Sequence, residues 1–388
     1  FRRAETWKGN GDIDPVRGTD GPLSVSPTRL KRSITEKWLD AAENAGFKRN
    51  PDYNGIDQEG VGYFQLTLDK GRRCSSAVAY LNPAKKRKNL TVITHAQAEK
   101  VLIKKSRAFG VTINQKGQSH NILAHREVIL SAGTIGSPQI LMLSGIGAAT
   151  ELKKHGINII KDLPGVGKNL QDHLQARPVF KTNLSTINTE INNVFKQGLI
   201  ALQYALTQTG PMTMAASLGT AFLKTDPTLE TPDIQFHIQP WSASKPADGP
   251  HRFSAFTASV LQLRPESTGH LKLKSSDWRE HPEIHPNYLA TNLDQNTIVK
   301  GINIARKIAQ FEPLKSHITE QFSPSSDIKI DDYEATLQWA RETSVTIYHP
   351  TGTCKMGQDK MAVVDERLRV RGIDGLRVAD CSIMPVIT

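Results

Sequence analysis

The residues of this chain best suited to proton transfer lie near its end, in the run Ile347 to Gly357, which reads IYHPTGTCKMG. A residue before proline is biased towards extended backbone, so His349 is predicted to project from a turn instead of a helix. Gly352 and the threonines on either side of it favour a tight, hydrogen-bonded loop. Because imidazole changes charge near neutral pH, His349 is a candidate general base. A histidine that only hydrogen-bonds within its loop is the alternative.

A second candidate site is the glycine-rich run Gly133 to Gly147, which follows the apolar residues Val128 to Leu130. The apolar residues predict a strand buried on both faces. Ser137 is predicted to cap a short helix with Pro138 at its first position, and Gly145 to end that helix in the left-handed conformation. A strand, a glycine turn and a helix N-terminus together favour an anionic ligand. An ordinary strand–loop–helix joint is the alternative.

Hydrophobic periodicity predicts that helices and strands position these runs. The predicted helices cover residues 33–45, 190–207, 296–310 and 330–342. The predicted strands cover residues 61–68, 90–94, 98–104, 108–114, 125–131, 234–238, 255–263, 271–274 and 376–380. This mixture indicates an α/β chain, with a mixed or antiparallel sheet and covering helices between residues 176 and 340.

Composition narrows the class of protein. The chain has 388 residues, enough for a large core and two domains. No apolar run is long enough to span a bilayer. The net charge of +11 permits an acidic partner or a membrane surface, but no nucleic-acid motif accompanies it, so nucleic-acid binding is not predicted. Three widely spaced cysteines favour a reducing compartment.

Several catalytic and binding motifs are absent from the sequence. It contains no Gly-x-Ser-x-Gly elbow, no phosphate-binding P-loop and no Gly-x-Gly-x-x-Gly. The run Gly165 to Gly167 lacks the third glycine of a dinucleotide loop, so a structural turn is predicted. His281 and His285 are four residues apart, but each precedes proline, which disfavours the helix that zinc ligation would need. No metal site is predicted.

Five motifs, taken together and in order, resemble one family. Gly133 to Gly147 resembles the second signature of the glucose–methanol–choline (GMC) oxidoreductases, and Arg264 to Ser275 is also typical of them. Asp162 to His173 resembles the family segment DLPGVGxNLQDH, Tyr348 to Gly357 resembles YHPxGTCxMG, and Gly375 to Pro385 resembles GLRVxDxSxMP. The chain is most similar to bacterial choline dehydrogenase-like and alcohol dehydrogenase-like members.

The resemblance implies an FAD enzyme with two domains. Residues 1–175 and 341–388 would form part of a doubly wound FAD-binding domain, and residues 176–340 would form the substrate-binding domain. The expected reaction is oxidation of an alcohol to an aldehyde, with hydride passing to flavin N5. A hydroxynitrile lyase-like activity, without net redox chemistry, and a non-catalytic truncated remnant are the alternatives.

Particular residues inherit expected roles from the matched motifs. His349 would accept the alcohol proton, which makes the alcohol a better hydride donor. The expected cofactor contacts are Ala98 near the adenine, Ala132 and Gly133 against the cofactor, Tyr348 beside the isoalloxazine, and Asp380 near the phosphate or ribityl chain. The electron acceptor would be oxygen or a quinone or other carrier.

Two departures from the family pattern lead to a further expectation. The family's N-terminal dinucleotide motif is missing, and so is the second catalytic His or Asn, which would follow Thr388. The expectation is therefore a chain truncated at both ends that alone binds FAD weakly or not at all, with stoichiometric flavin absorbance in the purified chain as the contrary result.

Substrate and compartment are less constrained by the sequence. Choline or another primary alcohol fits the resemblance. Recognition of the choline cation would use aromatic faces, for which Trp241 and Tyr204 are candidates, with ordinary packing as the alternative role. The cysteine usage favours the cytoplasm, and the charge is compatible with peripheral attachment to the inner face of a membrane.

Overall fold

The computed structural model describes residues 2–9, 14–244 and 249–388. Its α-helices are α1 (Ser33–Asn44), α2 (Asn82–Ala84), α3 (Gly133–Leu143), α4 (Ala149–Lys154), α5 (Ile187–Ile191), α6 (Val194–Thr207), α7 (Asn292–Ile308) and α8 (Tyr333–Thr343). A π-helical segment covers Ala77–Leu81, and short 3₁₀ turns cover Pro211–Thr213, Lys315–His317 and Cys381–Ile383.

The strands, in chain order, are mostly short. They are β1 (Glu5–Trp7), β2 (Leu23–Pro27), β3 (Gly60–Tyr63), β4 (Gln65–Leu66), β5 (Leu68–Asp69), β6 (Arg72–Arg73), β7 (Ala96–Lys104), β8 (Arg107–Gln115), β9 (Gln118–Leu123), β10 (Val128–Leu130), β11 (Ile146–Gly147), β12 (Lys161–Asp162), β13 (Leu174–Ala176), β14 (Val179–Thr182), β15 (Gly219–Leu223), β16 (Ile234–Gln239), β17 (Ala255–Gln262), β18 (His270–Lys272), β19 (Glu283–His285), β20 (Ile318–Ser323), β21 (Val345–Thr346) and β22 (Leu376–Val378).

The first of two compact units comprises residues 1–91, 175–263 and 295–345. Its antiparallel sheet has the order β20-β14-β17-β16-β15-β3, and β13 also pairs with β17. Helix α1 packs on this sheet through Trp38, whose ring centroid lies 5.7 Å from that of Phe236 on β16. Helix α7 lies so close to β17 that a Cβ added to Gly301 would come within 2.8 Å of Val260. Glycine at that position therefore permits the helix to cover the sheet.

The second unit comprises residues 92–174, 264–294 and 346–388. It contains the antiparallel sheet β7-β8-β9, and β10 pairs in parallel with β22. Its core includes Leu141 of α3 and Val378 of β22, both fully buried. Val128 and Leu130 of β10 are buried but Ile129 is 52% exposed, so the prediction of a strand buried on both faces is wrong.

The four helical regions predicted from periodicity are present, but β14, β15 and β20 of the main sheet were not predicted. Helices α1, α7 and α8 confirm three predicted helices to within four residues at each end, whereas the predicted helix 190–207 is two helices, α5 and α6. The predicted strand 90–94 has no regular structure. Its β-branched residues favour a strand only where a neighbouring strand supplies hydrogen-bond partners. The mixed α/β, two-unit architecture confirms the predicted fold class.

The boundaries of the two compact units differ from the predicted domain limits. Those limits refer to FAD binding and substrate binding, and they stay a prediction. Residues 1–91 join the first unit because β3 pairs with β15. Residues 264–294 join the second unit, where Gly269 and Leu170 exchange both backbone hydrogen bonds, at 2.7 and 3.1 Å. Among the described residues, no helix combines the length and apolarity needed to cross a membrane.

Candidate active site

The loop that carries His349 is held against the segment 167–173 of the same unit. Thr351 and Gln171 exchange backbone hydrogen bonds of 2.8 and 3.1 Å, and the Gly167 N–H donates to the Thr353 carbonyl at 2.8 Å. The turn predicted at residues 165–167 is confirmed, and it lies under this loop. Two of the recognised motifs therefore form one structural unit.

Two backbone positions give the loop its shape. Gly352 has φ +92°, and a Cβ there would lie 2.3 Å from the Asn169 carbonyl oxygen, so only glycine fits. Tyr348 has φ +65°, which is unusual for an aromatic residue. Its ring is 73% exposed, and its N–H donates to the Thr346 hydroxyl at 2.9 Å. The loop thus presents an exposed aromatic ring immediately before His349.

The His349 imidazole lies beside a second histidine. Its Nδ1 is 3.1 Å from Nδ1 of His173, and the rings meet edge to face at 5.4 Å between centroids. One of the two nitrogens must carry the proton, so the tautomers of the two rings are coupled. Although His349 is exposed, desolvation by its surroundings lowers the pKa of its imidazole, and the charge of Asp172 opposes part of that shift. The ring is therefore favoured in its neutral form at pH 7.

Asp172 is the residue that ties these segments together. Its Oδ1 accepts the N–H groups of His173 and His349, both at 2.9 Å. Its Oδ2 accepts the hydroxyls of Tyr288 and Thr346, both at 2.5 Å. The carboxylate is 8% exposed, so its charge is stabilised by four donors in place of water. Burial, followed by the hydrogen bond to this carboxylate, raises the pKa of the Tyr288 phenol.

Helix α3 begins at a second carboxylate. Asp380 Oδ2 accepts the Gly133 N–H at 3.0 Å and the Ser137 hydroxyl at 2.5 Å, while Oδ1 accepts the Ser382 N–H at 2.8 Å. The predicted helix start is wrong: α3 begins at Gly133, four residues before Ser137, and Pro138 lies inside it. Ser137 instead accepts the Ala132 N–H within the first turn, at 3.0 Å. The predicted end is confirmed, since Gly145 follows with φ +81°.

The chain supplies its own anion at the start of α3. The prediction of a site for an anionic ligand rested on the free N–H groups of a helix N-terminus. Here the Asp380 carboxylate accepts the first of them, and it also lies at the positive end of the helix dipole. The helix start is therefore a capped structural joint, and the atoms left exposed beside it are those of Ser131, Ala132 and Ala379.

This edge of the unit leaves the backbone open to a ligand. Strands β10 and β22 are parallel, so their carboxyl ends lie at one edge, where ligands bind in open α/β sheets. Ala132 is exposed there, and a Cβ added to Gly133 would meet no atom within 4 Å. Small side chains and an open glycine permit close approach to the backbone, while Asp380 offers a carboxylate beside it. The residues present thus leave room for a cofactor to lie against the backbone at this edge.

Ala98 lies on another element, β7, opposite Ile113 of β8. It is half-buried and packs against the core that α3 covers. The structure connects β7 with the end of α3 through Val101, whose N–H donates to the Ser144 hydroxyl at 2.8 Å. Ala98 is therefore held by the same framework as the Asp380 edge.

The histidines four residues apart are arranged differently from a metal-binding pair. His285 stacks on His270, its cross-strand neighbour, at 4.7 Å between ring centroids, and its Nε2 lies 3.3 Å from Glu283. Within residues 2–9, 14–244 and 249–388, no group of three or more His, Cys, Asp or Glu side chains is placed to hold a metal ion.

Sequence reasoning missed the residues that position His349. Asp172 and His173 were part of a recognised motif but carried no assigned role, and Tyr288 and Thr346 carried no signal at all. These residues lie up to 177 positions apart in the chain, and only the folded unit brings them together. The one indication of their role in the sequence was the order of Asp172 and His173 within the recognised motif.

Comparison with known proteins places these motifs in a single family. Two profiles described as GMC oxidoreductase match the chain, the N-terminal one over residues 2–175 and the C-terminal one over residues 265–388. An alcohol dehydrogenase (acceptor) of Pseudomonas putida is 38% identical over 377 residues, which are 96% of this chain and 68% of that protein. An oxygen-dependent choline dehydrogenase of Photobacterium profundum is 38% identical over 394 residues, covering 100% of this chain and 68% of that protein.

Solved structures share the architecture. A crystal structure of formate oxidase matches with a TM-score of 0.89 at 26% identity, over 100% of this chain and 73% of that chain. Pyridoxine 4-oxidase from Mesorbium loti matches with a TM-score of 0.84 at 25% identity, over 100% of this chain and 72% of that chain. The fold therefore agrees with the family found from sequence.

Proposed function

Because the chain belongs to the GMC oxidoreductase family of FAD-binding flavoproteins, we propose that it oxidises a primary alcohol to the aldehyde with His349 as proton acceptor. The chain is an oxidoreductase, and FAD is its cofactor. The observation that carries the proposal is the position of His349, whose backbone N–H donates to Asp172 and whose exposed imidazole lies beside His173 with a lowered pKa.

The proposed cofactor contacts are those expected from the matched motifs. We assign Ala132 and Gly133 to the surface against which FAD lies, because both leave the backbone open at the carboxyl ends of β10 and β22. Asp380 would accept a hydroxyl of the cofactor while it caps α3, Tyr348 would offer its exposed ring, and Ala98 would lie near the adenine. FAD, when bound, supplies the hydride acceptor.

His349 would act on the alcohol oxygen. An alcohol gives up hydride readily only as its hydroxyl proton leaves, so a base within hydrogen-bond reach lowers the barrier. A lowered pKa keeps the His349 imidazole neutral at pH 7 and able to accept that proton. The backbone N–H of His349 donates to Asp172, which fixes the loop from which the ring projects.

His173 would determine which nitrogen of His349 is basic. If His349 donates its Nδ1 proton to Nδ1 of His173, its Nε2 keeps a free lone pair and serves as the base. The opposite arrangement would place a proton on Nε2 and remove the base. His173 is 4% exposed, and its Nδ1 would act as the acceptor while His349 takes up the alcohol proton.

The substrate and the electron acceptor are the least determined parts of the proposal. Choline is one candidate because similar proteins include choline dehydrogenases, and an uncharged primary alcohol is another. The Trp241 indole donates to the Ala216 carbonyl at 2.7 Å, and the Tyr204 hydroxyl reaches the Gly71 carbonyl at 3.5 Å. Both side chains thus have hydrogen-bond partners within the protein, which favours neither choline nor an uncharged alcohol. Oxygen and a quinone or other carrier remain the candidate acceptors.

Reduction of bound flavin by alcohols tests the proposal. The protein is incubated with excess FAD and its bound flavin is measured by absorbance. The loaded protein is then mixed anaerobically with choline, with uncharged primary alcohols and with the same alcohols deuterated at the reacting carbon. Bleaching of the flavin absorbance and a primary isotope effect are expected. His349→Gln should slow bleaching by about 10²–10⁴, the usual contribution of a general base.

His281→Gln is the matched control, since His281 is also an exposed histidine of this unit. It should leave the rate unchanged. Equal rates for wild type and His349→Gln would contradict the role of His349, and a flavin that no alcohol bleaches would contradict alcohol oxidation. Cyanohydrin cleavage without an electron acceptor would indicate the lyase alternative. Oxygen uptake compared with quinone reduction then identifies the acceptor.

A further inference from the structure

Helix α6 exposes a continuous apolar stripe. None of its side chains is buried, and its large apolar residues Phe195, Leu199, Leu202 and Leu206 are 87%, 66%, 55% and 74% exposed. They are spaced by four, three and four residues, so at 3.6 residues per turn they lie within about 60° of one another. We call these four residues the α6 stripe.

The stripe differs from the apolar faces of other helices in the same unit. In α1, Ile34, Trp38 and Leu39 are at most 1% exposed, because that helix packs on the sheet. A stripe of large apolar side chains on an unburied helix is typical of a surface that another molecule covers. Single exposed apolar residues are common, but four in helical register on one face are not.

A group of cations lies at the C-terminal end of α6. The Arg29 guanidinium donates to the Gln208 carbonyl at 2.9 Å, just past the last residue of the helix. The hairpin of β5 and β6 is adjacent, since a Cβ on Gly71 would come within 2.4 Å of that same carbonyl oxygen. Lys70, Arg72 and Arg73 of the hairpin are exposed, as is Arg29. We call Arg29, Lys70, Arg72 and Arg73 the basic cluster. None of them forms an ion pair with another described residue.

We propose that the α6 stripe and the basic cluster together form a docking surface for an anionic lipid bilayer. The 14-residue helix is about 21 Å long and would lie in the plane of the interface, with its four apolar side chains at the boundary of headgroups and acyl chains. The basic cluster would meet lipid phosphates. The net charge of +11 favours the same partner.

Area and charge favour a lipid surface over a second copy of the chain. Four side chains present on the order of 500 Å², below the roughly 800 Å² per partner of a stable protein interface. A symmetric pair with parallel α6 helices would also bring two basic clusters towards each other, and like charges repel. A bilayer needs no complementary shape and supplies the negative charge. This surface is independent of the proposed alcohol oxidation.

Vesicle flotation of the purified chain tests the docking surface. Wild-type protein should float with vesicles of phosphatidylcholine and phosphatidylglycerol, and much less with phosphatidylcholine alone. The double variant Leu199→Gln, Leu202→Gln should bind the anionic vesicles at least tenfold more weakly. Arg72→Glu with Arg73→Glu should reduce binding to the anionic vesicles alone, and added salt should weaken wild-type binding.

Leu123→Gln provides the matched control, because Leu123 is 66% exposed on β9. It should float as wild type does, and circular dichroism should show unchanged helicity in every variant. The proposal is overturned if the wild-type chain does not float with the vesicles at any lipid concentration. It is also overturned if Leu123→Gln weakens vesicle binding as much as the double variant does. A dimer in solution that Leu199→Gln with Leu202→Gln dissociates would identify a second copy as the occupant and overturn it as well.

Discussion

The two halves of the candidate site are each organised by one carboxylate, but in different ways. Asp380 takes two of its donors from the first turn of α3, Gly133 and Ser137, and the third from Ser382, two residues downstream. Asp172 takes donors from three separate stretches of the chain, through Tyr288, Thr346 and the neighbouring histidines. The first is a helix cap within a regular framework, whereas the second is a junction between loops.

The difference predicts which half is easier to disturb. A helix that loses its cap keeps its backbone hydrogen bonds and its apolar core face. Loops that lose their common acceptor keep only scattered backbone hydrogen bonds, such as those between Thr351 and Gln171. We therefore expect the Asp172 junction to control the position of the proton acceptor, and the Asp380 cap to control the stability of the cofactor edge.

Replacement of the junction carboxylate should have the largest effect on stability. Asp172→Ala removes the acceptor of four buried or half-buried donors and leaves them without partners. Each unsatisfied buried donor costs about 1–3 kcal/mol, and water can relieve part of the loss, so unfolding by urea should show about 3–5 kcal/mol of destabilisation. A loss below about 1 kcal/mol would mean that the loops are held by their backbone hydrogen bonds alone.

Replacement of the cap carboxylate should have a smaller effect. Asp380→Ala removes the acceptor shared by Gly133, Ser137 and Ser382 at the start of α3, and caps of this kind contribute about 0.5–2 kcal/mol. Its contact with the helix dipole adds up to about 1 kcal/mol at a partly exposed site. Urea unfolding should therefore show about 2 kcal/mol. A larger effect than that of Asp172→Ala would reverse the comparison.

The success of the sequence predictions also differs between the Asp380 half and the Asp172 half of the site. The strand–glycine–helix run was recognised because its periodicity and its glycines are local signals, although the helix start was placed five residues late. Gly352 was recognised as a loop glycine, and the backbone of Asn169 that requires it is 183 residues away. His349 was found by its motif. The Tyr288–Asp172–Thr346 contacts were not found, because tertiary contacts of this kind depend on the complete fold.

The histidine beside His349 offers a test within the junction. His173→Phe removes the His173 Nδ1 atom that would accept the His349 proton. The proton of His349 should therefore redistribute from its own Nδ1 towards its Nε2. The rate of flavin reduction should fall about tenfold, corresponding to one hydrogen bond of about 1.4 kcal/mol. Nitrogen NMR shifts of His349 report the tautomer directly, without turnover.

His173→Asn is the conservative variant of the same test, because the Asn carbonyl oxygen can accept the Nδ1 proton. It should restore both the tautomer and most of the rate. Unchanged nitrogen shifts in His173→Phe would show that His173 does not set the tautomer, whatever happens to the rate.

The pH dependence of flavin reduction compares the charge effects of Asp172 and Asp380 on His349, and we expect this effect to be the smallest. Desolvation lowers the pKa of His349 below its usual value of 6.5, and the charge of Asp172 raises it in part. In the proposed mechanism the neutral ring is the base, so the rate should be constant at neutral pH and fall as the pH drops through the lowered pKa. His173 and Tyr288 also lie against this loop. Among the described residues, Asp172 supplies the carboxylate charge that acts on the His349 ring.

Asp172→Asn should move this acid limb to lower pH. The amide keeps an acceptor for the His349 N–H, but it removes the negative charge that favours the imidazolium, so the pKa of His349 falls further. Asp380→Asn removes an equal charge from the other half of the site and should leave the position of the limb unchanged. A shift towards higher pH in Asp172→Asn, or an equal shift in both variants, would show that the Asp172 charge does not act on His349 through the junction.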